Sequence, residues 1–228
     1  MIGNDTYQSV PPLENAGRDA KIIASALTDI GFSKVTLLSN LDHTAMMNAL
    51  RSFSDEAELA DWAMIYYAGH GIEVGGVNYL IPTDAVLKRD RDVDIEAIDL
   101  SKVMSVTEGA RKLRVVILDA CRDNPFVKQM ARTVASRSIG RGLGQVEPEA
   151  GSLVVYAAKH GQVAYDGDTG MNGPFAASLV KRLKTPKLDI RRMFDLVRDD
   201  VLDLTGKKQQ PFIYGSLSGN EDFYFSVK

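Results

Sequence analysis

One cysteine, Cys121, stands in a chain of 228 residues. No disulfide can form within it, and a lone thiol suits a reducing compartment or a chemical role. Histidine is almost as scarce. His43, His70 and His160 are scattered, so no ligand cluster of the kind that holds zinc is present and no metal site is expected. A basic excess is missing too. Lys and Arg number 27 against 30 Asp and Glu, a formal charge of −3, which argues against a general grip on nucleic acid. No apolar run approaches the roughly 20 residues of a membrane span. The polar Asn4, Asp5 and Thr6 follow Met1 too closely for a signal peptide. The expectation is a cytoplasmic protein with no membrane contact. Repeats and low-complexity tracts are absent. The 45% hydrophobic and 25% charged residues that remain are those of one ordinary globular domain.

Three runs read as strands covered on both faces: Ala63–Ala68, Leu113–Leu118 and Ser152–Ala158. Their near-continuous apolar character is that of a parallel sheet, and Val35–Leu38 is a shorter candidate. Helical spacing alternates with them. Ala20, Ile23, Leu27 and Ile30 share one face and stop at Gly31. Asp42 can cap a helix carrying Met46, Met47, Leu50 and Phe53. Pro174 begins one with Phe175, Leu179 and Leu183, and Asp189 caps one with Met193, Val197, Val201 and Leu204. The alternation predicts an α/β sandwich with a mostly parallel central sheet. Two stretches break it: the charged segment Asp84–Asp99, and a thirty-residue connection, Arg122–Gly151, of the length that is functional or disordered in compact domains.

His70 and Cys121 each sit just beyond a predicted strand. In open α/β sheets, ligands bind past the carboxyl ends of the strands, so two neighbouring parallel strands would deliver both side chains to one rim. A free thiol, only a few per cent ionised at neutral pH, needs such a partner to act as a nucleophile. Gly71 leaves the amide beside the histidine open to a substrate oxygen, and the N–H groups of Gly71 and Cys121 together make a candidate oxyanion hole. Taken singly, a cysteine at a strand end is more often inert core and a histidine between glycines a turn residue. It is the paired placement that suggests a site.

The residues around these two resemble the caspase/metacaspase superfamily. Tyr66-Tyr67-Ala68-Gly69-His70-Gly71 is similar to its histidine motif and Leu118-Asp119-Ala120-Cys121-Arg122 to its cysteine motif. The separation of 51 residues fits a caspase histidine about 50 residues upstream of the cysteine. Ile2-Gly3-Asn4, Tyr79-Leu80-Ile81-Pro82-Thr83-Asp84, Asp166-Gly167-Asp168 and Gly173-Pro174-Phe175 extend the likeness over nearly the whole chain, which looks most like the bacterial caspase-like proteins called orthocaspases. In the family the first strand usually starts several apolar residues before Ile2-Gly3-Asn4; here Met1 precedes them directly. The resemblance implies a caspase-like three-layer α/β/α sandwich forming one peptidase domain over 1–228. Its large-subunit-like part is 1–127, its linker loop 128–151 and its small-subunit-like part 152–228. It implies a cysteine endopeptidase acting on protein or peptide substrates through a Cys121–His70 dyad and a thioester.

The resemblance also bears on specificity. Caspases that cut after Asp carry Gln two residues before the cysteine, whereas metacaspases carry Asp and cut after Arg or Lys. Asp119 stands there in this chain, and Asp19 matches a second pocket acid by position. Two carboxylates would attract a guanidinium and repel an acidic side chain, although an acid at Asp19 also suits a helix start. Lys159-His160-Gly161-Gln162 resembles a metacaspase stretch that often has an acid where His160 stands. Lys128, Arg132, Arg137 and Arg141 lie where a self-cleavage segment belongs; a solvated basic loop explains them equally. Some metacaspases bind calcium with acids in the region of Asp84, Asp90, Asp92, Asp94, Glu96 and Asp99. Here Lys88, Arg89 and Arg91 are interleaved and EF-hand spacing is missing, so a solvated charged loop and no cofactor are expected. The competing readings are a non-catalytic interaction module on the same fold and a redox or acyl-transfer thiol, which lacks a Cys-x-x-Cys motif. Oligomeric state has no signal in the sequence.

Overall fold

A computed structural model of the chain describes residues 1–121, 125–126, 130–131, 133, 139–140, 143, 146–159, 164–165 and 170–227, with the main chain alone at 121, 139 and 140. A short first strand, β1 (Ile2–Gly3), leads into α1 (Ala16–Asp29), and β2 (Leu38–Ser39) into α2 (His43–Ala57). The two long strands are β3 (Trp62–Val74), which turns back as β4 (Val77–Leu80), and β6 (Leu113–Cys121). Between them lie α3 (Val93–Glu96), β5 (Ile98–Asp99) and α4 (Leu100–Ser105). After β6 come β7 (Ile139–Gly140), β8 (Ser152–Tyr156), α5 (Pro174–Leu183), α6 (Ile190–Leu204) and β9 (Phe212–Gly215).

The main sheet runs β2-β1-β3-β6-β8-β9. All neighbours in it are parallel except β8 with β9. Alternate strand residues feed two apolar layers, as the period of two requires. On one face Met64, Tyr66, Val115, Ile117, Leu153 and Val155 pack with residues of α1, α5 and α6. On the other Ile65, Tyr67, Val116, Leu118 and Val154 pack with Met46 and Leu50 of α2 and Leu100 and Val103 of α4. This is the expected three-layer α/β/α sandwich.

The helices start and stop as their residues dictate. Asp42 accepts the Ala45 N–H at 2.7 Å to begin α2, and Asp189 accepts that of Arg191 at 3.0 Å to begin α6. Pro174 opens α5. α1 ends at Asp29, with Ile30 as its C-cap and Gly31 following at φ 95°. Ile23 and Leu27 are fully buried on its inner face, each worth about 1.5–3 kcal/mol relative to exposure.

Several limits differ from those predicted. The strand predicted at Ala63–Ala68 continues to Val74, because its last residues leave the main sheet and pair with β4 across a turn at Gly75 and Gly76, at φ 64° and 83°. β6 runs three residues past Leu118, held by β3 on one side. β8 stops at Tyr156 rather than Ala158, and β2 covers only Leu38–Ser39 instead of Val35–Leu38. The charged segment Asp84–Asp99 is not a solvated loop. It holds a 3₁₀ turn at Asp90–Asp92, α3 and β5. Asp90 and Asp92 are buried, and their carboxylates serve the protein's own donors. Asp90 takes the Thr133 N–H at 3.0 Å and the Thr133 hydroxyl; Asp92 takes the Arg89 N–H at 2.9 Å. Glu96 accepts from Val86 and Leu87. Burying a carboxylate is tolerable only when donors meet it.

β1 can lie in the sheet beside α1 because residue 3 has no side chain. A Cβ there would come within 2.8 Å of the Ala16 oxygen and the Gly17 Cα. Both are backbone atoms and cannot swing aside. Gly3→Ala is expected to destabilise the domain by about 1–3 kcal/mol, measured as a lower denaturant midpoint with an unchanged slope.

Candidate active site

β3 and β6 pair in parallel over nine residues each, from Trp62–Leu113 to Ala68–Asp119, Gly69–Ala120 and finally His70–Cys121. Strands in a sheet lie about 4.8 Å apart, so the two candidate residues are one strand spacing from each other. Register partners on parallel strands share a face. Positions 70 and 121 belong to the face of Tyr66, Ala68, Val115 and Ile117, covered by α1 and α5. His70 is thus inside a continuous strand, not in a loop after one, and Cys121 is the last residue of its strand.

The His70 main chain is held from three directions. Its N–H donates to the Tyr7 hydroxyl at 2.8 Å, and its carbonyl accepts from the Tyr67 hydroxyl at 2.8 Å and the Ile81 N–H at 3.1 Å. The bond from Ile81 makes Gly71–Leu80 a non-hydrogen-bonded pair of the β3–β4 ladder. The Gly71 N–H is therefore turned away from β4, to the side where β6 ends. Asn4, fully buried, braces the same corner. Its N–H meets the Ala68 carbonyl at 2.9 Å and its side chain bonds Leu41 and Ile81.

The imidazole is buried, with 5% of His70 exposed. The Tyr7 ring lies 4.5 Å from it, centre to centre. Its Nε2 is 3.2 Å from the Pro11 carbonyl oxygen. A carbonyl can only accept, so Nε2 carries the hydrogen and the lone pair resides on Nδ1. Nδ1 is buried and has no hydrogen-bond partner among the described residues. Burial lowers the His70 pKa below the usual 6.5, and the Pro11 bond offsets part of that. A neutral ring with its basic nitrogen unused is the state a general base needs. The orienting group that the sequence did not reveal is this Pro11 carbonyl. A main-chain oxygen leaves no mark in the residue type, and only the fold brings residue 11 beside residue 70.

Asp119 and Asp19 both belong to the α1/α5 layer but differ in surroundings. Asp119 is half-buried and accepts from the Tyr66 hydroxyl at 2.7 Å. Asp19, 3% exposed, sits in the first turn of α1, and its carboxylate reaches beyond that helix. Its carboxylate accepts from the Asn172 side chain at 2.7 Å and the Gly173 N–H at 3.1 Å. Gly173 is the residue that precedes α5, so Asp19 clasps α1 to the start of α5. Lys128, Arg132, Arg137 and Arg141, with His160, Asp166 and Asp168, lie outside the described residues. Among the described residues no group of three or more His, Cys, Asp or Glu is placed to hold a metal ion, and no helix is long and apolar enough to cross a membrane. A cavity of about 510 Å³ lined by Leu38, Leu50, Phe53 and Met64 lies between α2 and the β1 edge, away from His70.

A sheet that sets a histidine opposite a cysteine on the last rung of two neighbouring strands suggests the class, and comparison with known proteins agrees. The family model described as "Caspase domain" matches residues 1–221. The chain belongs to the caspase-domain family of cysteine peptidases. It is 29% identical over 222 residues to the human mucosa-associated lymphoid tissue lymphoma translocation protein 1, covering 96% of this chain and 25% of that protein. The mouse homolog is 30% identical over 122 residues, 54% of this chain and 14% of its own length. A protein of Dictyostelium discoideum named paracaspase is 24% identical over 196 residues, 82% of this chain and 44% of its own. The chain thus spans less than half the length of the curated relatives it matches.

The lowered His70 pKa has a measurable consequence. The unfolded chain binds this proton more readily than the native one, so the contribution of neutral His70 is complete above about pH 6.5 and is lost on acidification below it. Wild-type protein is expected to lose stability between pH 7.5 and 5.5 more steeply than His70→Gln, by up to about 1.4 kcal/mol per pH unit, read from urea midpoints. Parallel curves for the two proteins contradict the assignment.

Proposed function

We propose that this chain is a cysteine endopeptidase that cleaves after Arg or Lys, with Cys121 as nucleophile and His70 as its acid–base partner. The observation that carries the reading is the last rung of the β3–β6 ladder, His70 opposite Cys121. Nδ1 of His70, left as the basic nitrogen by the Pro11 contact, takes the thiol proton as the sulfur attacks the scissile carbonyl. The Gly71 and Cys121 N–H groups stabilise the oxyanion. Because the strand register reaches this last pair, the substrate oxygen competes with the end of the ladder for these amides. The imidazolium then protonates the leaving amine, which departs and leaves a thioester. His70 next removes a proton from water, the hydroxide adds to the thioester, and the acid product leaves Cys121 as a thiol again.

Specificity is assigned to Asp119, a half-buried carboxylate two residues before the nucleophile, with Asp19 as the second acid. Its role beside the substrate competes with its clasp on Gly173. Cleavage needs no calcium: the acids of the 84–99 segment that the fold describes are engaged by internal donors, as Asp90, Asp92 and Glu96 exemplify. Lys128, Arg132, Arg137 and Arg141 are the proposed self-cleavage positions.

Matched peptide reporters ending in Arg, Lys or Asp test the specificity. Arg and Lys substrates are expected to be cut and the Asp substrate spared, and a preference for Asp overturns the reading. Asp119→Ala should lose roughly 2–5 kcal/mol of discrimination if the charge pair is desolvated. An Arg-directed, cysteine-reactive peptide probe should label wild type and fail on Cys121→Ala; absence of labelling in the wild type favours the interaction module instead.

Self-processing has its own comparison. Wild type and Cys121→Ala are incubated in parallel, with and without a calcium chelator. Fragments ending after a basic residue of the 128–141 segment are expected in wild type alone, chelator or not. Equal fragmentation of both proteins excludes self-processing, and its abolition by the chelator excludes calcium independence.

A further inference from the structure

We propose that Tyr66 is a positioning residue for substrate recognition: its hydroxyl holds Asp119 in the orientation that receives the basic P1 side chain. The inference rests on the basic-P1 reading above and assigns a second residue to that pocket. Tyr66 is among the largest fully buried side chains, with 0% exposed. It pairs with Ile117 across the β3–β6 ladder, and Asp119 lies two residues farther along the same face of β6. The phenol spans this diagonal and donates to Asp119 Oδ2 at 2.7 Å, a length at the border of ordinary and charge-assisted O–H···O bonds.

Three physical features make this more than a satisfied tyrosine. The ring is wedged in the layer with Ala16, Ala20 and Phe175, so the hydroxyl is a fixed point. An aspartate carboxyl, by contrast, turns in a broad torsional well and does not orient itself. The donor is also neutral. A lysine or arginine in its place would fix the carboxylate and cancel the charge that a P1 guanidinium needs, whereas a phenol orients it and leaves the charge. Finally, a carboxylate offers about four lone-pair sites, and this hydroxyl takes one of them. The adjacent tyrosine works on the other layer: Tyr67 packs with Ile65 and Leu118 and donates to the His70 carbonyl. Consecutive tyrosines thus serve the two halves of the site. Tyr67 holds the main chain of the base, and Tyr66 holds the acid that reads the substrate.

A buried tyrosine needs a hydrogen-bond partner for stability alone, so the test must separate packing from recognition. Tyr66→Phe keeps the ring. Asp119 is half-buried, so water can replace the lost donor and the variant is expected to fold, checked by thermal melting. kcat and KM are measured on matched peptides with Arg, Lys or Gln at P1, together with the rate of Cys121 alkylation by iodoacetamide. The Arg-over-Gln preference is expected to fall about ten-fold, the equivalent of one hydrogen bond to a charged group. The loss should sit mainly in KM, with alkylation unchanged. In an Asp119→Asn background, Tyr66→Phe is expected to leave the preference where it is. The proposal is overturned by an unaltered Arg-over-Gln ratio, by equal losses on Arg and Gln substrates, or by the same loss in the Asp119→Asn background. A wild-type enzyme with no basic preference overturns the parent reading first and this one with it.

Discussion

Everything chemical about this domain depends on the register of β3 against β6. Nine consecutive pairs tie Trp62–His70 to Leu113–Cys121, both faces of the ladder are apolar, and both are covered by helices. A slip of one residue would move every apolar side chain to the wrong layer. The hydrophobic pattern thereby locks the last rung as firmly as the first. Two residues 51 apart in sequence are placed on neighbouring strands with no reliance on a flexible loop.

The surroundings of that rung set the state of the candidate site. Main-chain groups of His70 that would otherwise need water are met by Tyr7, Tyr67 and Ile81, and the ring is desolvated, which keeps it neutral. One of its nitrogens is committed to the Pro11 carbonyl, and the other keeps its lone pair without a partner among the described residues. These are ordinary consequences of burial, and together they select one tautomer and favour the neutral ring. Sulfur chemistry at Cys121 would draw on both.

Acidic residues divide along the same lines. Asp90, Asp92 and Glu96 look in isolation like a cation-binding run, yet their oxygens close a compact segment and, through Thr133, reach the linker that follows the cysteine. Asp19 joins the helix before the sheet to the helix after it. Asp119 alone among these is both half-buried and two residues from Cys121. Membership of the caspase-domain family, with relatives several times longer than the region shared, makes the rest of such proteins a separate question from the chemistry of this domain.

Residue periodicity determined much of this by itself. The apolar runs named the three central strands, and Asp42, Pro174 and Asp189 marked helix starts that the fold retains, because capping and two-sided burial are local rules. The pairing of Cys121 with His70 was readable for the same reason: both closely follow an apolar run that reads as a buried strand. What the sequence could not carry is whatever depends on main-chain atoms or on distant segments meeting. A carbonyl at Pro11 is chemically like any other until the chain folds. Likewise, whether Asp19 caps its own helix or Gly173, and whether Asp90 meets solvent or Thr133, is settled by contacts 43 and 154 residues apart in sequence. The strand ends were misjudged on the same ground. Hydrogen bonds to a neighbour, β4 for β3 and β3 for β6, extend a strand past the point where its apolar pattern stops.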